Sequence, residues 1–408
     1  MAKLEELIKE LCPNGVEYKF VGDVCDTITD YVAAGSFAEI AKKVKYINTP
    51  EYALLVRTTD LKSNFAKGDF IYIDKEAYDF LWRVHLDAET IILPNIGNCG
   101  EVYYITKDRL PYPHCALAPN AIMVRSSTCL NLYLKYVFES EYFQKQLMKI
   151  VSPTGQTKFN KTDLKRLLIP LPPLAIQREI VRILDKFTLY SQELAAELAA
   201  RRVQYEYYRD QLVSFNNKTE QIKWVLLQEI LEIKNGSDYK RFGEGQYPVY
   251  GSGGVMTYID NFIYDKPSVL IPRKGSLNNL FYVETPFWTV DTIFYTIIDT
   301  TKVVPKFVFY YLQNQHLEKL NKAGGVPSLT QSVLNLIKFP IPPLEVQERI
   351  VKVLDNFDAI CSDLGIGLPA EIEKRQQQYE FYRDKLLTFG TGSATIFEAP
   401  EARSRFNR

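Results

Sequence analysis

Three carboxylate–x–lysine pairs, Asp60-Lys62, Asp163-Lys165 and Glu232-Lys234, have the spacing that a metal-dependent nuclease uses. None has the upstream Pro-Asp that would complete such a site, so the pairs read as chance in a chain with 24% charged residues. The glycine-rich turn Phe242-Gly243-Glu244-Gly245 has a cofactor-loop composition but lacks the strand–helix context such loops need. The Asn/Asp-Pro-Pro-aromatic signature of a methyltransferase is absent. His85, His114 and His316 lie far apart, and His114 beside Cys115 reads as structural or solvent-facing. The cysteines (12, 25, 99, 115, 129, 361) form no CxxC pair and have no histidine at ligand spacing, which predicts reduced thiols, a cytoplasmic location and no zinc. The chain therefore reads as one that recognises rather than reacts, with no cofactor of its own.

Composition narrows the class. The 408 residues suffice for two or three domains with separate cores, and 46% hydrophobic content is ordinary for a globular protein. No apolar run approaches the ~20 residues of a membrane span. The opening MAKLEELIKELC is an acidic amphipathic helix rather than a signal peptide. Net charge is zero, which neither suggests nor excludes a nucleic-acid partner, because binding depends on a local basic face. The 27 tyrosines and 23 phenylalanines are explained first by core and helix packing.

The elements that must position any site are written twice. LLIPLPPLAIQREIVRILDKFTL (167–189) recurs as IKFPIPPLEVQERIVKVLDNFDA (337–359), at an offset of 170. QYEYYRDQLVSF (204–215) recurs as QYEFYRDKLLTF (378–389). Repetition this dense implies duplication of a whole unit and two similar sites facing a two-ended target. Ahead of each proline run lie short β-prone stretches separated by Gly, Pro and Asn turns, and then a helical stretch, 130–150 or 305–323. The two globular stretches match weakly. Pro94 and Gly97 align with Pro272 and Gly275, and 154–159 lies opposite 324–329.

The proline runs cannot continue an earlier helix and set an extended entry into a long one. A heptad-like seam runs through Ile180, Leu184, Phe187, Ser191, Leu194, Leu198, Arg201, Tyr205, Tyr208 and Leu212. Its counterpart runs through Ile350, Leu354, Phe357, Cys361, Leu364, Leu368, Ile372, Arg375, Tyr379, Tyr382 and Leu386, with four extra residues. That insertion, with Gly365, Gly367 and Pro369 beside it, predicts a break. Each helix of about 35–40 residues would span roughly 50–60 Å at ~1.5 Å per residue, and the two most simply pair with each other. Glu193-Leu194-Ala195-Ala196 is followed at once by Glu197-Leu198-Ala199-Ala200. The doubled tetrapeptide is either good helix sequence or a length module worth about 6 Å per copy.

These motifs resemble the DNA-specificity subunit of type I restriction–modification systems, the HsdS family. The resemblance covers about residues 1–390 and rests on LIKELCPNGVEY, the doubled PxPPLxxQxxIVxxLDxF and the doubled QYExYRDxLLxF. It implies an α+β fold with an internal pseudo-two-fold repeat. Two strand-rich target-recognition domains are separated by two long antiparallel coiled-coil helices. The implied boundaries are 1–170 for the first domain, 171–215 for the central helix, 216–340 for the second domain, 341–390 for the C-terminal helix and 391–408 for a flexible tail. Each domain would read one half of a bipartite double-stranded DNA site while the helices set the gap. The doubled ELAA looks like the family's gap-altering repeat. Two modification subunits would bring S-adenosylmethionine, and restriction/translocase subunits would bring ATP and magnesium.

Residue type and position then select DNA contacts: Arg, Lys, Asn and Gln for bases, and Lys, Arg, Ser, Thr and backbone N–H groups for phosphates. The candidates in the first lobe are Arg57, in an Arg-x-x-Asp turn that resembles one common in the family, with Lys62, Lys67, Gln156, Lys158 and Asn160. Those in the second are Lys240, Arg241, Ser252, Arg273, Lys274 and Ser276. Each competes with a reading as solvated surface. The rival to the whole reading is a coiled-coil protein scaffold that binds no DNA sequence specifically. It would not need strand-rich lobes with basic turns.

Overall fold

The computed structural model describes residues 2–152, 157–215, 222–321, 327–363 and 365–389. Gln156, Leu364 and the tail 391–408 lie outside the described residues. The chain forms two compact units, Met1–Gln192 with Lys374–Arg408, and Glu193–Glu373. These divisions fall inside the helices. The sequence division instead treats each helix as a segment of its own.

The first unit holds a four-stranded sheet in the order Thr27–Asp30, Ala121–Arg125, Thr90–Pro94, Tyr103–Ile105. Beside it is a three-stranded sheet, Tyr72–Ile73, Ala53–Val56, Cys115–Leu117. The strand pair Tyr18–Phe20 with Leu168–Pro170 closes the lobe at the entrance to the proline run. The second unit repeats this pattern strand for strand. Its four-stranded sheet is Leu231–Asn235, Ile293–Ile298, Ser268–Pro272, Phe281–Val283. Its three-stranded sheet is Gly254–Ile259, Glu244–Gly251, Trp288–Thr289, and its closing pair is Lys223–Leu226 with Lys338–Ile341. In both small sheets one pairing is antiparallel and the other parallel. The duplication therefore extends through both lobes, where the sequences have drifted apart. The strands Thr90–Pro94 and Ser268–Pro272 are buried at every position, so both read as apolar runs rather than alternating ones.

The helical stretches before the proline runs are each interrupted. Residues 130–150, expected as one helix, form Asn131–Glu139 and Glu141–Ile150, because the Ser140 hydroxyl accepts from the Phe143 N–H and caps a new start. In the second unit Pro305–Gln313 ends before a 3-10 turn, Leu317–Leu320, entered through His316 at φ 47°.

The central helix runs unbroken from Leu174 to Val213. The C-terminal helix ends at Ser362 and resumes at Leu368, and the break lies at the inserted residues. A Cβ on Gly367 would stand 2.5 Å from the Ala359 carbonyl oxygen, so the return after the break needs glycine. Within the first unit, Phe187 stacks on Tyr382 at 5.5 Å and Arg375 lies 5.5 Å from the Tyr190 ring. As numbers rise on one helix they fall on the other, so the segments are antiparallel. In the second unit Tyr208 stacks on Phe357 at 5.6 Å and Arg202 lies near Cys361, so these segments are antiparallel as well. Ile180, Leu184 and Leu386 are buried in the first unit's core, with Tyr379 packed against it. Ile350 and Leu354 are buried in the second unit's core, with Tyr205 and Leu212 packed against it. Leu194 and Leu198 are half-buried, and the other six residues of the doubled ELAA are exposed.

The recurring motif residues fasten helix to lobe. Gln177 Oε1 accepts from the Leu130 N–H at 3.0 Å, and its Nε2 donates to the Pro172 carbonyl at 2.8 Å. Gln347 Oε1 accepts from the Val304 N–H at 2.8 Å, and its Nε2 donates to the Pro342 carbonyl at 2.8 Å. Asp185 accepts from Tyr136 Oη at 2.5 Å, and Asp355 accepts from Tyr310 Oη and lies 2.9 Å from Lys306 Nζ. Desolvation and the adjacent carboxylate push both tyrosine hydroxyls above their usual pKa, so they remain donors.

Candidate nucleic-acid interface

Each lobe carries one clasp at the end of its buried strand. In the first, the Gly97 N–H donates to the Thr157 carbonyl at 2.8 Å and the Phe159 N–H to the Asn95 carbonyl at 3.1 Å, with a bridge between Ile96 and Lys158. In the second, the Gly275 N–H donates to the Pro327 carbonyl at 3.1 Å and the Leu329 N–H to the Arg273 carbonyl at 2.9 Å, with a bridge between Lys274 and Ser328. Both glycines sit at positive φ, 87° and 84°, where a Cβ is strained. A short helix follows each clasp, capped by Asn160 or Thr330.

Around the first clasp the structure gathers Lys62 and Lys158. Lys158 is exposed beside Ile96, and Lys62 Nζ meets Glu101 Oε1 at 2.9 Å on the same loop. Arg57 is largely committed internally. Its Nε and Nη2 grip the Asp60 carboxylate at 3.0 and 2.7 Å, and Nη2 also donates to the Asp69 carbonyl at 2.6 Å. Hydrogen bonds to Asp60, which is 2% exposed, raise the guanidinium pKa further, so Arg57 holds its turn as a fixed charge. The Asn160 side chain is spent on Asp163, accepting its N–H at 2.9 Å and donating to its carboxylate at 2.7 Å. Lys67 is exposed on the stretch after that turn.

Around the second clasp the gathering is tighter. The Thr292 carbonyl accepts from the Arg273 N–H at 2.9 Å, and Thr292 Oγ1 accepts from the Ser252 N–H at 3.4 Å. Asn279 Nδ2 donates to the Ser252 carbonyl at 3.1 Å, and the Ser252 hydroxyl would stand 3.6 Å from a Cβ on Gly275. Ser252, Arg273, Lys274 and the exposed Ser276 thus share one surface. Arg273 lies 5.9 Å from the Phe294 ring. Lys240 and Arg241 stand on a separate turn, where Arg241 covers Phe242 at 4.8 Å and Phe242 packs edge-on to Trp288 at 4.7 Å.

Sequence reasoning missed two side-chain pairs flanking the clasps. Lys161 Nζ meets Asp30 Oδ1 at 2.8 Å, and Gln331 Nε2 donates to Asn235 Oδ1 at 3.4 Å. Lys161 and Gln331 are separated by 170, so extending the weak alignment by two residues finds them. Asp30 and Asn235 share no offset with the motifs and become equivalent only through the sheets.

The other chemical candidates resolve into structure. A Cβ on Gly245 would stand 2.4 Å from the Asp260 backbone, so this glycine serves close approach of neighbouring strands. Lys234 pairs with Glu232 on one strand. His85 Nε2 lies 2.7 Å from the Tyr78 carbonyl, His114 stacks on Tyr52 at 4.6 Å, and His316 faces Glu318. Among the described residues no group of three or more His, Cys, Asp or Glu is placed to hold a metal, and no helix is long and apolar enough to cross a membrane. Burial pushes the thiols of Cys25, Cys115 and Cys129 up to about 12.

Comparison with known proteins agrees with this architecture. Among solved structures, the chain is similar to the S subunit of a type I restriction-modification system from M. genitalium, with a TM-score of 0.51 and 17% identity over 91% of this chain and 96% of that one. It is also similar to a chain solved in work on complex assembly and conformational transition of the type I R-M system, with a TM-score of 0.63 and 17% identity over 92% of this chain and 98% of that one. Among curated relatives, it is 34% identical to the EcoR124I/EcoR124II specificity subunit of Escherichia coli over 261 residues, 55% of this chain and 63% of that protein. It is 32% identical to the putative specificity subunit S.MpnORF615P of Mycoplasma pneumoniae over 233 residues, 52% of this chain and 90% of that protein. The Type I restriction modification DNA specificity domain profile matches residues 13–200 and 220–374, one copy per repeat. The chain belongs to the type I restriction–modification DNA specificity family.

Proposed function

We propose that this chain is the non-catalytic reader of a bipartite DNA site. Each lobe reads one half-site, and the helices set the gap and dock two modification subunits. The observation that carries this reading is the paired clasp: one backbone frame, built twice and tipped with different polar side chains. Two frames suit two half-sites, and different tips suit different bases. A partner in two copies fits the helices, because equivalent apolar residues stay exposed in each unit. They are Tyr190 and Phe381 in the first (53% and 41%) and Ile360 and Tyr207 in the second (43% and 60%). The partners would supply S-adenosylmethionine for adenine methylation, and restriction/translocase subunits would supply ATP and magnesium. The reaction would run in the cytoplasm, where the DNA is.

The test is single-molecule mapping of methylated adenines in cells with and without this gene. Loss of methylation at one bipartite motif, two short half-sites around a fixed gap, is the expected result. No change, together with co-purification of an active methyltransferase, would favour the protein-scaffold reading and overturn this one.

A further inference from the structure

The two side-chain pairs beside the clasps occupy the same place in the two lobes. Asp30 and Asn235 end equivalent strands, in register with Ile122 and Phe294. Lys161 and Gln331 open equivalent short helices, one residue after the caps. The pairs differ in what they offer a ligand. In the second lobe the Gln331 Nε2 to Asn235 Oδ1 bond uses one donor and one acceptor. Asn235 Nδ2 and Gln331 Oε1 have no partner among the described residues, and Asn235 is exposed. The amide N–H and the amide oxygen that this bond leaves over complement a base edge showing an acceptor and a donor, as adenine does with N7 and N6. In the first lobe Asp30 Oδ1 accepts from both Lys161 Nζ and the Ala33 N–H. The remaining ammonium N–H groups and Asp30 Oδ2 complement a G·C pair: donors toward guanine O6 and N7, an acceptor toward the cytosine amine.

We infer that Asn235 and Gln331 form an adenine-reading contact in the second lobe, and that Asp30 and Lys161 form its G·C-reading counterpart in the first. The inference rests on the DNA-reader function proposed above. The clasp backbone beside the pair is the same in both lobes, so side chains, here this pair, set which base is accepted at this point.

The test swaps the pair within one lobe. The full chain carrying N235D and Q331K is produced with its modification subunits, and its methylated motif is mapped beside the wild type. One position of one half-site is expected to change from A·T to G·C, with a preference ratio of about 5- to 150-fold. The other half-site and the gap should stay unchanged. An unchanged motif overturns the inference. If the charged pair abolishes methylation, N235A/Q331A should methylate with that single position degenerate; retention of a strict A·T there overturns it. A folded neutral variant that methylates no site overturns it too, as does loss of folding in thermal unfolding, since either makes the pair a structural strut. If the wild-type chain directs no bipartite methylation, the reader function itself falls, and the inference with it.

Discussion

Replacing Gln177 by leucine tests how helix and lobe are locked together. The side chain is 1% exposed, so water cannot replace what it holds. Leucine keeps most of the volume but orphans two main-chain groups, the Leu130 N–H and the Pro172 carbonyl, bonded at 3.0 and 2.8 Å in the wild type. A buried polar group left without a partner costs about 1–3 kcal/mol. Because Leu130 is only half-buried, the sum for Q177L is about 2–4 kcal/mol, a large share of a total stability of roughly 5–15 kcal/mol. Q347L orphans the Val304 N–H and the Pro342 carbonyl, also removes a longer 3.3 Å bond to the Lys302 carbonyl, and should cost the same within a factor of about two. Urea unfolding followed by far-UV circular dichroism reads both. With a slope of about 1–3 kcal/mol per molar, the affected transition should move down by about 1 M or more. Losses below about 1 kcal/mol in both variants would refute the lock, as would a large loss in one and none in the other.

Deleting Glu197–Ala200 should shorten the central helix by about 6 Å while leaving a Leu194-type residue on the seam, so the methylated motif should keep both half-sites and lose one or two base pairs of gap at ~3.4 Å each. An unchanged gap would reduce the doubled ELAA to ordinary helix sequence. Alkali should also destabilise the fold. Burial raises Cys25, Cys115 and Cys129 from 9.0 to about 12. Their contribution is fully present below pH 9 and is lost as pH rises toward 12, because the unfolded thiols ionise first. Each thiol then removes about 1.4 kcal/mol per pH unit. Thermal unfolding midpoints should fall steadily above pH 9, and a flat profile to pH 10.5 would contradict the burial of these thiols.

Much of this was legible in the chain because the relevant physics is local. Proline runs force an extended entry, a 4,3 apolar spacing makes a helix seam, and inserted Gly365 and Gly367 break it. Repetition at one offset marked Gln177, Asp185, Gln347 and Asp355 without saying what they do. Their function depends on Leu130, Pro172, Val304 and Tyr310, groups brought to them by packing. Arg57 and Asn160 show the same limit. Their residue types fit a groove, yet folding spends the first on Asp60 and Asp69 and the second on Asp163.

The sequence by itself determined that the chain is a doubled unit, that each copy feeds a proline run into a long helix, and which family it joins, since these follow from periodicity and composition along the chain. Only the tertiary structure decided that the two lobes share one strand order, that the central helix is divided between the two compact units, and that Asp30–Lys161 and Asn235–Gln331 are equivalent pairs. The physical reason is that hydrogen-bonded register and core packing join residues far apart in sequence. A sheet keeps its order when its buried residues are exchanged for others of similar volume, so equivalence in space outlasts identity in sequence.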